Sequence, residues 1–378
     1  MTQPRVLLLC PDFPPAPGGI SDYVRWLAEE LAQQGFAMTV LTSPLAGEGA
    51  TDVRVSRTLD HCDRRMWRAV AEALSASRSD LLHIQYQQSM YGGDPAIGFL
   101  PWALAARGLR PAIVTTLHDM ERPIRGPKPT RRLAFESLLY GSRRLTVSNE
   151  SEFRGLTRRP GLAPRVNIVS VGTNITVRQL TGEQRSALRA SVSTRADASL
   201  AVYFGLIRPD KGLDVLIDAM ADLKARDVCV ELLVIGDTAD PALRDQLTKR
   251  AEGLDEVMHF LDHQDEIKVS QLLQACDLAV LPFQDGATAN RTTINAALAH
   301  LPVLTTRGAG TPPRFTEGGI EFIDAPPDAK ALSRAIEDVI KQPDKLASMA
   351  KRGRQLASQD SHDAIAREIA AIYKDALG

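Results

Sequence analysis

Short runs that are apolar at nearly every position alternate along the chain with stretches of helical period. RVLLLC (5–10) precedes the helical stretch SDYVRWLAEELAQQG (21–35) and the run AMTVLTS (37–43); LLHIQY (81–86), AIVTTLH (112–118), RLTVS (144–148) and VNIVSV (166–171) follow. Runs without polar alternation belong to strands covered on both faces, so the pattern predicts a parallel sheet with crossover helices on each side. A polar stretch rich in Thr, Arg and Ser spans about 173–198, and then the rhythm restarts. SLAVYFG (199–205) opens a second series, in which helices at 212–226, 241–254, 268–276 and 292–300 alternate with strands at 228–236, 257–262, 278–283 and 302–306. Three amphipathic helical segments, 328–342, 346–358 and 362–377, close the chain as core cover.

The expected fold class is α/β, with two tandem Rossmann-like, doubly wound parallel-sheet domains. The first takes 1–172 and the second 199–359, with 173–198 as linker. The length of 378 residues fits two domains of about 150 residues or a little more. The four cysteines, at 10, 62, 229 and 276, form no ligand spacing, so neither a disulfide framework nor a structural zinc site is indicated and a reducing compartment fits. The first apolar run is too short for a secretory signal, and nowhere do about 18 apolar residues follow one another. A cytoplasmic protein is expected.

In open parallel sheets ligands bind at the carboxyl ends of strands. Four strand ends carry suitable chemistry. After the first strand comes PDFPPAPGGISDYV, where Gly18 and Gly19 let the backbone turn its N–H groups toward an oxyanion and Ser21 or Asp22 can cap the helix; the same loop serves equally as a plain tight turn. His118 closes AIVTTLH, placed to contact a hydroxyl or transfer a proton. GLIRPDKGLD (205–214) sets Arg208 and Lys211 between Gly205 and Gly212 at a helix start, a diphosphate clamp or else a solvated charged turn. Finally, Asp285 and Gly286 leave LAVLPF, and Asn290, Arg291, Thr292 and Thr293 lead into a helix, with the two threonines as natural caps.

These pieces in this order resemble the family-four glycosyltransferases of the GT-B fold. The likeness runs through PPAPGGISDYV, TTLHD, FGLIRPDKGLDVLIDA, PFQDG, LAHLPVLTT and APPDAKAL, and so takes in most of the chain. It implies two Rossmann domains facing across a cleft, a nucleotide-diphosphate sugar held mainly by the second, an acceptor held mainly by the first, and a last helix, about 360–378, that crosses back to the first. It also implies front-face transfer of a hexose-type sugar with retention, in which the leaving diphosphate helps deprotonate the acceptor. The nucleotide sugar is then a co-substrate, with no cofactor and no metal. His118, Arg208 and Lys211 are the catalytic candidates, and Gly18, Gly19, Gly205, Asp285, Gly286, Asn290, Arg291, Thr292 and Thr293 the donor-binding ones.

The chain departs from the family pattern where two glutamates eight apart are usual. Asp285 stands for the first; Thr293 lies eight residues on, and Asn295 or Ala296 falls at the second position, so the ribose carboxylate is missing. Leu206 takes the place of a common arginine, with Arg208 as its substitute, and no glycine stands between His300 and Leu301. Two further readings share the fold: a nucleotide-sugar-binding protein without transferase activity, and a nucleotide-sugar epimerase. The GT-A architecture holds a metal on D-x-D, which occurs nowhere in the chain. His259 and His263 sit on a strand pattern and its end rather than on one helical face, which argues against a metal pair.

The net charge of −1 conceals two halves of opposite sign. Residues 1–172 hold 21 basic and 16 acidic side chains, and the rest 24 and 30. Residues 110–172 alone hold 12 basic against 5 acidic, among them Arg122, Arg125, Lys128, Arg131 and Arg132. This tract is expected to face an anionic acceptor, a glycan or lipid-linked molecule, or the inner membrane surface in peripheral contact, unless it is simply a solvated face. Aromatic residues make up only 5% and do not interleave with it, so nucleic acid is not expected as a partner. Bacterial surface polysaccharide assembly is the setting this reading favours.

Overall fold

A computed structural model describes residues 3–16, 18–44, 53–118, 129–173, 175–289 and 291–378. The chain divides into two compact units, 1–172 with 361–378, and 173–360.

In the first unit β1 (Arg5–Leu9), α1 (Gly19–Gln33), β2 (Ala37–Leu41), β3 (Arg54–Ser56), α2 (Met66–Ser77), β4 (Leu81–Tyr86), α3 (Leu100–Ala105), β5 (Ala112–Leu117), α4 (Pro129–Gly141), β6 (Arg144–Val147), α5 (Glu150–Thr157) and β7 (Val166–Ile168) follow one another. The seven strands form one sheet in the order β3-β2-β1-β4-β5-β6-β7, every pair parallel. The order reverses between β1 and β4, the place where loops diverge and leave room for a ligand. Period-two alternation splits β1 between two cores: Val6 and Leu8 join the side chains of α1, and Leu7 and Leu9 join those of α2 and α3.

The second unit contains α6 (Gly182–Val192), β8 (Ser199–Phe204), α7 (Leu213–Ala225), β9 (Val230–Ile235), α8 (Pro241–Arg250), β10 (Met258–Leu261), α9 (Glu266–Ala275), β11 (Leu278–Leu281), α10 (Thr292–His300), β12 (Val303–Arg307), β13 (Ile320–Asp324), α11 (Ala329–Ile340) and α12 (Pro343–Gln359). Its parallel sheet runs β10-β9-β8-β11-β12-β13, reversing between β8 and β11. Residues 173–198 are more than a connection: a Thr181–Gln184 capping box starts α6, and Arg189 ties that helix to Asp277 and to the carbonyls of Ala198 and Ala275.

The final helix, α13 (His362–Leu377), belongs to the first unit. Ser361 caps it by accepting from Ala364 N–H. Its stripe of Ile365, Ile369, Ile372, Tyr373 and Ala376 packs with α1 and the β1 residues Val6 and Leu8.

Candidate functional site

At the switch point of the second unit the loops after β8 and β11 are pressed backbone against backbone. Gly212 has φ +70°, and a Cβ on it would lie 1.9 Å from the Pro282 carbonyl oxygen. Gly286, at φ +92°, would place a Cβ 2.3 Å from Gly308 N in the loop after β12. Only glycine satisfies both demands at either position. Gly205, which closes β8, donates its N–H to Ile235 O.

That packing gathers charge. Arg208 forks onto Asp210 through Nε at 2.9 Å and Nη2 at 2.8 Å. Arg291, its side chain only 9% exposed, reaches Asp210 and Asp285 and lies 4.0 Å from the Phe283 ring centroid. Lys211 Nζ is 4.9 Å from the same ring. Among the described residues no carboxylate comes within ion-pair distance of Lys211. Burial, followed by the Arg291 charge, pushes its ammonium down to about 8. Three cations thus meet two carboxylates, and the unpaired one is a desolvated ammonium that gains most from an arriving anion.

The expected threonine caps are corrected: Arg291 is the N-cap of α10, and its side chain makes no capping bond. Thr293 Oγ1 is instead buried without a hydrogen-bond partner among the described residues, as are both amide atoms of Asn295 on the same helix. Among the described residues no side chain caps the start of α10: Ile294 N–H donates to Arg291 O, and the Arg291 guanidinium turns back to the Gly286 carbonyl and the two aspartates. Asn290 lies outside the described residues. His300, the last residue of α10, bonds the Ala296 carbonyl and Ser270 Oγ.

In the first unit Gly18 is the N-cap of α1 and Gly19 its first residue, both exposed with open space where a Cβ would stand. The expected cap at Ser21 or Asp22 is also corrected, since the N-cap position falls on Gly18, and the buried Ser21 hydroxyl donates to Ala16 O. His118 follows β5, half-buried, with its backbone N–H on Tyr86 O and its Nε2 2.7 Å from Gln85 Oε1. Burial holds its imidazole down at about 4, so the ring is neutral at physiological pH. Of the basic tract, Arg122, Arg125 and Lys128 lie outside the described residues; Arg131 is half-buried and Arg132 exposed on α4. All four cysteines are free. His259 bonds buried Glu231 at 2.8 Å, and among the described residues no group of three metal-ligating side chains gathers. Among them, too, no helix is long and apolar enough to cross a membrane.

Sequence reasoning overlooked Asp210 and Phe283, which organise the cations, and Gln85, which holds His118. Asp210 was visible in RPDKG as an acid between two bases; nothing local marks the other two.

Residues 18–172 match the model of the glycosyl transferase 4-like domain and residues 184–356 that of glycosyl transferases group 1, which together span most of the chain. A D-inositol 3-phosphate glycosyltransferase of Streptomyces scabiei is 25% identical over 95% of this chain and 87% of its own length. A second, from Catenulispora acidiphila, is 28% identical over 66% of this chain, and the match spans 60% of that relative's length. Among solved structures, a glycosyltransferase from Rickettsia africae has a TM-score of 0.79 at 16% identity, covering 100% of this chain and 99% of that one. Anabaena HepE in complex with UDP and glucose has a TM-score of 0.72 at 20% identity, covering 98% and 99%. With its two parallel-sheet units matched along their length, the chain belongs to the family-four glycosyltransferases of the GT-B fold, and it is a transferase.

Proposed function

We propose that the protein moves a hexose-type sugar from a nucleotide diphosphate to a glycan, a lipid-linked molecule or a small hydroxylated acceptor, with retention and without a metal ion. The carrying observation is the cluster of Lys211, Arg208 and Arg291 at the β8 and β11 strand ends, beside the start of α10. When the bond between the anomeric carbon and the diphosphate oxygen breaks, negative charge grows on the leaving group. Cations already fixed in a partly desolvated site stabilise that charge more than they stabilise the bound donor, which is the condition for speeding the step. Asp210 gives Arg208 a resting partner; on donor binding the guanidinium exchanges a carboxylate for a phosphate of like geometry. The departing diphosphate then takes the acceptor's proton, so no protein nucleophile is required.

In the first unit, the neutral His118 is assigned to the sugar or acceptor hydroxyls and the basic tract to an anionic acceptor or the inner face of a membrane. The UDP and glucose in the HepE complex support a UDP-sugar donor, and the names of the curated relatives support a small hydroxylated acceptor. The test is to incubate the protein with radiolabelled UDP-glucose, UDP-N-acetylglucosamine and GDP-mannose, each with inositol 3-phosphate or a bacterial glycolipid extract. Label moving into acceptor product from one donor supports the proposal. Saturable donor binding with no labelled product from any pairing leaves the non-transferring reading instead.

A further inference from the structure

A string of hydrogen bonds runs from His118 into the core of the first unit. His118 Nε2 meets Gln85 Oε1 at 2.7 Å, Gln85 Nε2 meets His83 Nε2 at 3.1 Å, and His83 Nδ1 meets Tyr373 Oη at 2.6 Å. Thr116 Oγ1 lies 2.7 Å from His83 Nε2 and 2.6 Å from Thr146 Oγ1. His83, Gln85 and Tyr373 are fully buried, and both threonines nearly so. The string crosses β4, β5 and β6, whose register pairs Gln85 with Thr116 and Thr116 with Thr146, and it ends on α13. Such a polar line in an otherwise apolar layer is costly unless each group finds a partner, and here the single lone pair of His83 Nε2 is shared by the Gln85 amide and the Thr116 hydroxyl, which in turn accepts from Thr146.

A carboxamide has one end that only accepts and one that only donates. The 2.7 Å contact to His118 fits an N–H donating to oxygen and is short for nitrogen meeting nitrogen, whereas 3.1 Å suits the amide N–H donating to His83. We propose that Gln85 is a positioning residue that fixes the tautomer of His118, keeping the ring proton on Nε2 and the lone pair on Nδ1, where it can accept a hydrogen bond from a sugar or acceptor hydroxyl. The proposal rests on the reading of His118 as a group that serves glycosyl transfer. His83 and Tyr373 anchor the amide, so the last helix of the chain acts on a histidine at the other end of the string. Gln85 and His83 from β4 and the Tyr23 ring from α1, at 5.6 Å between centroids, lie about His118, and none of the three is a carboxylate.

Nitrogen-15 NMR of histidine-labelled protein tests this without substrate, with the His118 signals assigned by their loss in His118→Asn. The wild type is expected to show a protonated Nε2 and a bare Nδ1 from about pH 5 to 8. Gln85→Leu should mix the two tautomers and lower kcat for donor turnover by roughly tenfold to a hundredfold, with KM little changed. Gln85→Glu keeps an acceptor at Nε2, and its charge should move the His118 titration, and the acid limb of the rate profile, up by about one pH unit or more. This second variant guards against a Gln85→Leu protein that fails to fold. Turnover is read as nucleotide released from UDP-glucose, ADP-glucose and GDP-glucose. A bare Nε2 in the wild type, or a tautomer and pH profile unmoved by both Gln85 variants, overturns the proposal. Full turnover in His118→Asn, with a tautomer that still follows Gln85, overturns instead the role of His118 in transfer.

Discussion

Lys211 offers the sharpest handle on the donor site. Its ammonium sits at about 8 rather than the ordinary 10.5, because burial and then Arg291 disfavour the charge. A nucleoside diphosphate is fully ionised well above about pH 6 and restores the charge on binding, so binding draws a proton onto Lys211. The free lysine is mostly charged at about pH 7 and mostly neutral at about pH 9, so the dissociation constant of UDP, ADP or GDP should rise about tenfold between them. At about pH 8, calorimetry in buffers of different ionisation enthalpy should report uptake of roughly half a proton. Lys211→Met removes a charged hydrogen bond of about 2–3 kcal/mol, weakening binding ~30–150-fold near pH 7 and leaving it flat with pH. Lys211→Arg stays charged throughout and should bind with little pH dependence. A wild-type constant that does not change across this range, or a Lys211→Met protein with wild-type affinity and slope, refutes the assignment.

Four other outcomes follow from the same structure. Burial holds His118 at about 4 and His83 at about 3, against 6.5 for an exposed ring, so the unfolded chain binds more protons than the folded one below that value. The stability is complete above about pH 6.5 and falls with acid, by on the order of 3 kcal/mol for each histidine by about pH 4. Chemical denaturation across pH should show this, and replacing His83 by Gln should flatten the curve. Gly212→Ala, with its Cβ 1.9 Å from Pro282 O, should lower stability by about 3 kcal/mol or more, whereas Gly253→Ala, at φ +80° in open space, should cost only about 1–2 kcal/mol by scanning calorimetry. Asn295→Leu replaces two buried amide atoms that lack partners among the described residues, so its melting temperature should hold or rise; if the amide serves the donor's ribose, nucleotide affinity falls about tenfold in the same protein. Flotation with liposomes should recover more protein when anionic lipid is present, and equal recovery without it removes the membrane role from the basic tract.

The sheets were legible because their inner strands are apolar on both faces, as in VLLLC and LAVLPF, and burial on both faces leaves no other arrangement. Two of the four edge strands were not. Arg54–Ser56 has no fully buried residue, and Ile320–Asp324 has only one, so neither shows the apolar run. Helix α6 read as linker because none of its residues is fully buried; a capping box and Arg189, rather than an apolar stripe, hold it. At the site, the glycine-flanked spacing of Arg208 and Lys211 was visible, since a turn between strand and helix is a local matter. The partners were not. Asp210 claims Arg208, Phe283 underlies Lys211 and Arg291, and Tyr373 reaches His83 across 290 residues of sequence. The threonine caps failed for a related reason, because Arg291 is tied into tertiary ion pairs that set where the helix begins.

The most direct test of the central claim follows free nucleotide released from a panel of UDP-, ADP- and GDP-sugars in the presence of acceptor, by wild type and Lys211→Met side by side. The expected result is saturable release from one donor by the wild type and a loss of about a hundredfold in the variant. Equal release by both proteins, or donor binding with no release by either, would contradict it.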